Sequence, residues 1–397
     1  MMLSNEVLVL PGLLALGLAG FRWRRRVEQG CELRPPLGGK LTSIQAARGF
    51  AAMLVAIYHL ERLTQPDQYL GRMAFDGVFG FGHAGVDFFF VLSGFIIYYV
   101  HHRDLGVPAA LSRFVWRRAT RIYPAYWLVT AFVILTTALV VPHWTDRFPI
   151  QHVLGSLILL PQATEPVLTV GWTLVHEVVF YVLFAIGIAS RRVGSVVVLT
   201  WLAIIVAGTF IPPEGLILRH LASNYNLLFM IGLLTAHIVL RVSVSRPLLW
   251  ALGGFCALLG AGWTENAGLF QVNDLTGRLL YGFSSMAIII GLAAAERTGR
   301  LRVGRTAMFL GDVSYALYLV HVTVIANTLW LLAKSGMIEH VPVPVLAAGT
   351  LTASIAAAAV IHLKIERPVL RWAQGGRASN GTRTVPVAAS QVATGTS

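Results

Sequence analysis

The 397-residue chain is 56% hydrophobic and 12% charged, with a mean hydropathy of +0.69. This composition excludes an ordinary soluble globular protein and is typical of a polytopic membrane protein. A net charge of +13 is also typical of nucleic-acid-binding proteins, but here the basic residues lie in the loops between apolar segments, so no nucleic acid is expected as a partner. Cys31 and Cys256 are far apart and predict neither a disulfide framework nor a thiolate metal site.

Eleven apolar runs are long enough to cross a bilayer as α-helices. They lie at 5–21, 44–63, 80–100, 123–141, 168–189, 193–212, 222–240, 247–263, 276–295, 307–332 and 343–363. If the shorter run at 150–160 is re-entrant or interfacial, 24 of the 31 Lys and Arg residues fall on one side of the membrane. The positive-inside rule makes that side cytoplasmic, with the N-terminus outside and the C-terminus inside the plasma (inner) membrane.

The chain is predicted to have three parts. Residues 1–39 form an accessory transmembrane helix and a basic linker, because the arginines follow the first apolar run and do not precede it as in a signal peptide. Residues 40–372 form the membrane domain. Residues 373–397 are rich in Ser, Thr, Gly and Ala and predict a disordered cytoplasmic tail.

Arg48 and His59 are the most informative polar residues, because both lie in an apolar run where ionisable groups are costly. Eleven residues of α-helix return to nearly the same direction, about 16 Å further along the axis. The two side chains therefore share one face, with the small Ala52 and Val55 between them leaving a predicted groove. A structural role for both residues, as an interfacial arginine and a core histidine, is the alternative.

Asp87 opens the next apolar run beside three phenylalanines and needs a cationic or histidine partner, for which Arg48 or His59 is an obvious candidate. Alternatively, Asp87 has a purely structural role as a carboxylate at the membrane interface, and Ser93 and Gly94 mark a close contact between helices.

Arg118 and Arg121 are one helical turn apart in a basic loop and can face one anionic ligand. Contact with lipid headgroups is the plainer interpretation of such a cluster.

Two further segments carry polar groups at membrane depth. His176 and Glu177 are adjacent, so their side chains point about 100° apart and do not form one site. Ser314, Tyr318 and His321 recur at helical spacing as one polar stripe, which either bonds helices together or takes part in chemistry. No pair of residues has the spacing of metal ligands, so no metal is expected.

Taken together, these motifs resemble the membrane acyltransferase 3 family, and in particular its exopolysaccharide-modifying branch. The resemblance covers about residues 40–368 and rests on six motifs in order. They are Arg48-x10-His59, GVDFFFVLSGF at 85–95, RxxRIxP at 118–124, WTLxxExxFY at 172–181, SYxxYLxH at 314–321 and ERP at 366–368. It implies an all-α, polytopic fold with a ten-helix acyltransferase core, to which the accessory helix adds one span.

The resemblance also implies an enzyme that O-acylates an extracytoplasmic saccharide from cytoplasmic acyl-CoA, most simply acetyl-CoA, with no permanently bound cofactor. Arg118 and Arg121, with Arg48, would bind the donor, and the thioester would follow the Ala52/Val55 groove. His59 would be the general base or would carry the acyl group. Asp87 or Glu177 would orient His59 or hold the acceptor, and His321 is a weaker candidate for either role. Partners are acyl-CoA, the saccharide, the bilayer, and polysaccharide biosynthesis or export proteins.

Two other functions fit parts of the pattern. A transporter or flippase of a lipid-linked saccharide could use the same charges along a pathway, although no inverted repeat of interrupted helices is visible. A non-catalytic scaffold in an export complex would leave the shared face of Arg48 and His59 without a purpose.

Overall fold

The computed structural model of the protein describes residues 41–271 and 274–375. Within these ranges the chain is helical, without a β-strand, and ten helices have 17 residues or more. They are α1 (Thr42–Leu63), α2 (Ala84–His101), α3 (Leu111–Val140), α4 (Trp172–Ala189), α5 (Arg191–Phe210), α6 (Tyr225–Arg241), α7 (Pro247–Asn266), α8 (Leu275–Arg297), α9 (Arg305–Lys334) and α10 (Val343–Ile361). The prediction of an all-α fold is confirmed for these residues.

Shorter helices join or extend the long ones. Trp144–Arg147, Ile150–Leu157 and Leu216–Leu221 are α-helical, and Gly80–His83, Pro108–Ala110, Thr169–Gly171 and Ile338–His340 are 3₁₀ turns. After α10 the chain continues as a π-helical turn, His362–Glu366, and a final helix, Arg367–Gly375. Ile150–Leu157 has eight residues and is therefore only about 12 Å long. That is too short to cross a bilayer, in agreement with its interpretation as a non-spanning segment.

Eight helical segments of the described residues are long and apolar enough to cross a membrane, which makes the chain a multi-pass membrane protein. They correspond to α2–α5 and α7–α10. The apolar helix α6 has 17 residues, and α1 has 22 but carries Arg48, His59 and Glu61, which lower its hydropathy. A ten-helix membrane core therefore stays a prediction. The accessory helix at 1–39 lies outside the described residues. Of the predicted tail at 373–397, residues 373–375 belong to the final helix, and the rest lies outside the described residues.

Glycines allow three pairs of helices to pack with their backbones in contact: α1 with α9, α2 with α6, and α7 with α8. At the second contact, a Cβ atom on Gly94 would lie 2.3 Å from the carbonyl oxygen of Phe229, and one on Gly232 would lie 2.2 Å from that of Val91. Such distances require glycine on both helices. The prediction that Gly94 marks a close helix contact is confirmed.

The start of α1 is bound to the end of α8 through Glu296. Its carboxylate accepts hydrogen bonds from the backbone N–H groups of Thr42 and Ser43 at 2.7 and 2.8 Å, and from both hydroxyl groups. The first N–H groups of a helix have no partners within the helix. A carboxylate accepts hydrogen bonds from them, and its negative charge interacts favourably with the positive end of the helix dipole. This contact fixes the helix that carries Arg48 and His59 against the rest of the bundle.

The Gly94→Ala substitution should destabilise the protein, because the added methyl group forces α2 and α6 apart. Overpacking of this kind costs about 1–3 kcal/mol, so the midpoint of thermal unfolding in detergent should fall by several degrees. Gly253→Ala is the matched control, because Gly253 lies on an exposed face of α7 and an added Cβ meets no atom within 4 Å. Equal unfolding midpoints for the two variants would contradict the α2–α6 contact.

Candidate functional site

His59 and His321 form a pair between α1 and α9. His59 Nδ1 lies 3.1 Å from His321 Nε2, and the ring centroids are 4.9 Å apart. His321 is completely buried, whereas His59 is partly exposed. The structure therefore brings together two of the residues predicted from sequence and places His321, the weaker candidate, in direct contact with His59.

Hydrogen bonds to backbone carbonyls assign the proton positions in this pair. His59 Nδ1 lies 2.9 Å from the carbonyl oxygen of Val55, and His321 Nδ1 lies 3.0 Å from that of Leu317. Because a carbonyl only accepts, each Nδ1 must carry the hydrogen. The N–H of His59 is then shared with the lone pair of His321 Nε2. His59 Nε2 is left as an unprotonated nitrogen with no hydrogen-bond partner among the described residues, which is the state that a general base or nucleophile requires.

The predicted groove between Arg48 and His59 is not present. Ala52 and Val55 are completely buried, and α2 packs directly over them. A Cβ atom on Gly85 would lie 2.6 Å from the carbonyl oxygen of Ala51 and 2.7 Å from Val55 Cγ2. The sequence suggested a groove because both residues are small, but the missing side chain of Gly85 lets the neighbouring helix fill that space.

Asp87 belongs to a separate group of polar residues between α2, α7 and α8, here called the Asp87 network. Its carboxylate forms an ion pair with Arg278, and both side chains are almost completely buried. Its other oxygen lies 3.7 Å from Nδ1 of His83. The expectation that Arg48 or His59 would be the partner of Asp87 is therefore wrong, because an arginine from a distant part of the sequence occupies that place.

The network extends from His83 to a second buried carboxylate. His83 Nε2 lies 2.7 Å from Glu265 Oε1, and the hydroxyl group of Tyr281 donates to Glu265 Oε2. Tyr58 joins the network to the histidine pair, because its ring lies 5.8 Å from that of His83 and 5.1 Å from that of His59. Asp87 therefore acts on His59 only through intermediate side chains.

Arg48, Arg118 and Arg121, here called the arginine cluster, lie near the other end of α1. Arg48 interacts electrostatically with Arg121. The guanidinium groups of Arg118 and Arg121 lie over the rings of Tyr181 and Tyr315, at 5.8 and 5.3 Å from the ring centroids. Contacts with aromatic rings orient the planar guanidinium groups. The structure thus supports the prediction that these arginines of α1 and α3 are near one another.

Glu177 lies with the arginine cluster and not with the histidine pair. Its Oε1 accepts hydrogen bonds from Ser93 Oγ at 2.8 Å and from the hydroxyl group of Tyr181, and it interacts electrostatically with Arg48. Glu366 also interacts with Arg48, and its carboxylate is 2.8 Å from His362 Nδ1. Two carboxylates therefore offset part of the positive charge where three arginines approach one another.

His176 lies away from both sites, as the 100° separation from Glu177 predicts. It is 2.9 Å from Asn226 Oδ1 and stacks on His220 at 3.7 Å between centroids. Tyr318 is buried and lies 2.8 Å from Thr173 Oγ1, which connects α9 with α4 next to His321. In the described parts of the chain, no group of three or more His, Cys, Asp or Glu side chains is arranged to bind a metal ion.

Sequence reasoning missed Arg278, Glu265 and His83 as members of the Asp87 network. Arg278 and Glu265 lie near the ends of apolar runs, where charged residues are usually exposed, so neither stands out in the sequence. The available signal was the buried carboxylate of Asp87, which requires a cation somewhere in the fold. Sequence alone could not identify that cation, because it lies 191 residues away.

The chain is similar to known proteins over most of its length. A family model described as an acyltransferase domain matches residues 41–362. The chain is 30% identical over 321 residues to the exopolysaccharide production protein ExoZ of Rhizobium meliloti (strain 1021), covering 76% of this chain and 94% of ExoZ. It is 27% identical over 383 residues to the acyltransferase MdmB of Streptomyces mycarofaciens, covering 85% of this chain and 93% of MdmB. No solved structure matches significantly.

The proton positions of the histidine pair can be tested by NMR on protein labelled with ¹⁵N-histidine. His59 and His321 should both show a protonated Nδ1 and an unprotonated Nε2, with signals assigned by their loss in His59→Gln and His321→Gln variants. In the His321→Gln variant, His59 Nδ1 keeps its bond to Val55, so the tautomer should persist while its chemical shift changes. Protonation of His59 at Nε2 in the unmodified protein would contradict this assignment.

Proposed function

The chain belongs to the membrane acyltransferase 3 family, and from this premise we propose that it transfers an acetyl group from cytoplasmic acetyl-CoA to a saccharide hydroxyl group on the opposite side of the membrane. The observation that carries the proposal is the histidine pair, which holds one imidazole with a basic Nε2 available. The names of the two relatives, an exopolysaccharide production protein and an acyltransferase, support the acceptor class and the reaction.

In the proposed reaction, Nε2 of His59 removes the proton of the acceptor hydroxyl as its oxygen attacks the thioester carbonyl carbon. The C–S bond then breaks, and the departing sulfur takes the proton from His59, so that the products are an ester and free CoA. The Nδ1 hydrogen of His59 is shared between the carbonyl oxygen of Val55, which holds the ring in the required tautomer, and His321 Nε2. An alternative route, in which Nε2 first accepts the acyl group itself, uses the same nitrogen.

The arginine cluster is proposed to bind the phosphate groups of the donor. Guanidinium groups bind phosphate through paired hydrogen bonds, and contact with Tyr181 and Tyr315 orients two of them before the donor arrives. CoA carries its phosphates far from the thioester. A phosphate site near Arg48 and a base at His59 are likewise separated along α1, so each would meet its own end of the donor.

Asp87 and Glu177 are assigned different roles from those expected. Glu177 interacts with Arg48 and accepts from Ser93 and Tyr181, so it belongs to the proposed donor site. Asp87 is bound to Arg278 and reaches His59 only through His83 and Tyr58. We therefore propose Glu177 as a positioning residue for Arg48, and Asp87 as a positioning residue for the helices around the acceptor.

Replacing His59 with Ala should reduce acceptor acylation by at least about 10²–10⁴-fold, the usual contribution of a general base. The measurement is transfer of label from acetyl-CoA to envelope polysaccharide in membrane vesicles with matched protein levels. His340→Ala is the control, because His340 is exposed and distant in sequence from the site motifs. Full acylation by the His59→Ala variant would refute the proposed role of His59.

Replacing Arg121 with Ala should raise the apparent KM for acetyl-CoA roughly tenfold, which corresponds to the loss of a hydrogen bond to a charged group. Arg121→Lys should recover part of the loss, because it restores the charge without the paired geometry. Arg117→Ala is the matched control on the exposed face of the same helix. An unchanged KM in Arg121→Ala would remove Arg121 from the donor site while leaving the proposed role of His59 intact.

A further inference from the structure

A cavity of about 700 Å³ lies between the loop that joins α1 to α2 and residues 265–271 at the end of α7. We call it the loop cavity. Its polar lining and its one aromatic ring come from Arg62, Asp76, Glu265, Asn266, Phe270 and Gln271. Neither the arginine cluster nor the histidine pair contributes to its wall.

The loop cavity begins one helical turn beyond His59. Arg62 lies three residues further along α1, so the two side chains are neighbours on one face. The Arg62 guanidinium group lies 5.6 Å from the centroid of the Tyr58 ring, which also contacts His59. On the opposite wall, Glu265 is bonded to His83, whose ring also contacts Tyr58. Both walls of the cavity are therefore connected to His59 through the ring of Tyr58.

The cavity is held open by hydrogen bonds from buried or fixed groups. Asn266 Nδ2 donates to the carbonyl oxygens of Gly77 and Val78 at 3.2 and 3.1 Å, and the N–H of Gly77 donates to the buried Glu61 at 2.8 Å. These contacts attach the α1–α2 loop to the ends of both α1 and α7. A preformed cavity binds its ligand without first paying the entropy of ordering a loop.

We propose that the loop cavity is the binding site for the saccharide acceptor, and that the sugar bound there is uncharged. Amide, carboxylate and guanidinium groups offer the mixture of donors and acceptors that several neighbouring hydroxyl groups require. Phe270 offers an apolar face for the carbon side of a sugar ring. This assignment rests on the proposed acyltransferase function, which it extends from a general acceptor to a defined site and class of sugar.

The charges around the cavity are the reason for choosing an uncharged sugar. Its wall contains the carboxylates of Asp76 and Glu265 and the guanidinium group of Arg62. Asp76 also lies 3.4 Å from Arg72 in an exposed pair, and Glu265 is bonded to His83. An acidic sugar would bring a third carboxylate towards the two already present, and like charges in a partly enclosed site disfavour binding.

The bound sugar would present one hydroxyl group to His59. Its O–H bond breaks and its proton passes to Nε2, an ester forms at the thioester carbonyl, and the C–S bond of acetyl-CoA breaks. The sulfur then receives the proton from His59. The step needs no reactant other than the donor and the sugar.

The test uses membrane vesicles from cells that lack the chromosomal copy and express the full chain, so the cells' own polysaccharide is the acceptor. Vesicles receive ¹³C-acetyl-CoA, and the rate of acetyl incorporation is measured against donor concentration. Gln271→Trp should block the cavity, because Gln271 is exposed at its wall. Gln68→Trp is the matched control, since Gln68 is an exposed glutamine of the α1–α2 loop that does not line the cavity.

Gln271→Trp should lower the maximal rate at least tenfold while the donor concentration for half-maximal rate stays the same, and Gln68→Trp should match the unmodified protein. Gln271→Ala, which adds no bulk, should lower the rate roughly fivefold and keep the unfolding temperature. NMR of the purified polysaccharide should place the ¹³C-acetyl groups on uncharged sugars.

Equal rates for Gln271→Trp and Gln68→Trp would overturn the cavity assignment, and acetyl groups on uronic acid residues would overturn the class of sugar. In both cases the unmodified protein still acetylates polysaccharide, so the proposed function survives. No acetyl incorporation by the unmodified protein would instead reject the proposed function, and the acceptor site with it.

Discussion

The contact of α1 with α9 determines where the two histidines can meet. A Cβ atom on Gly311 would lie 2.1 Å from the carbonyl oxygen of Gln45, and one on Gly49 would lie 2.6 Å from the backbone of Leu310. At this separation the helices cannot slide without collision, so their register is fixed. Gln45 Nε2 also donates to Asp312 at 2.9 Å near the same contact. Further along the two helices, this register brings His59 within hydrogen-bond distance of His321.

The carboxylates within the helix bundle show a second constraint, because a charged group in a membrane bundle needs a partner inside the protein. Asp87 is paired with Arg278, Glu265 with His83, and Glu177 with two hydroxyl groups. These partners divide the polar interior into two regions, the arginine cluster at one end and the histidine pair with the Asp87 network towards the other. Proposed donor binding and proposed acceptor chemistry are therefore separated along the bundle.

The sequence predicted single helices well and contacts between helices poorly. The run at 44–63 corresponds to α1, but α3 begins at Leu111, well before its apolar run at 123. Four arginines lower the hydropathy of the first part of that helix, but its hydrogen bonds continue through them. They are Arg113, Arg117, Arg118 and Arg121. Periodicity also placed Arg48 and His59 on one face, because helix geometry is local. The pairing of Asp87 with Arg278 depends on how α2 and α8 pack, and no local pattern carries that information.

The face of α1 between Arg48 and His59 is covered by other helices, and this limits how an acyl donor can reach His59. Ala52 and Val55 are fully covered by α2, so a thioester cannot pass along that face unless the two helices separate. Beside His321, Tyr318 of α9 is in contact with Thr173 of α4. Both polar regions are thus assembled while the Ala52/Val55 face of α1 between them is filled. A polar pathway along this face, as a saccharide transporter would need there, is absent from this conformation of the described residues. A narrow opening for a thin acyl chain requires much less rearrangement than a passage for a hydrated sugar, and this difference favours transfer of the acyl group over transport of the saccharide.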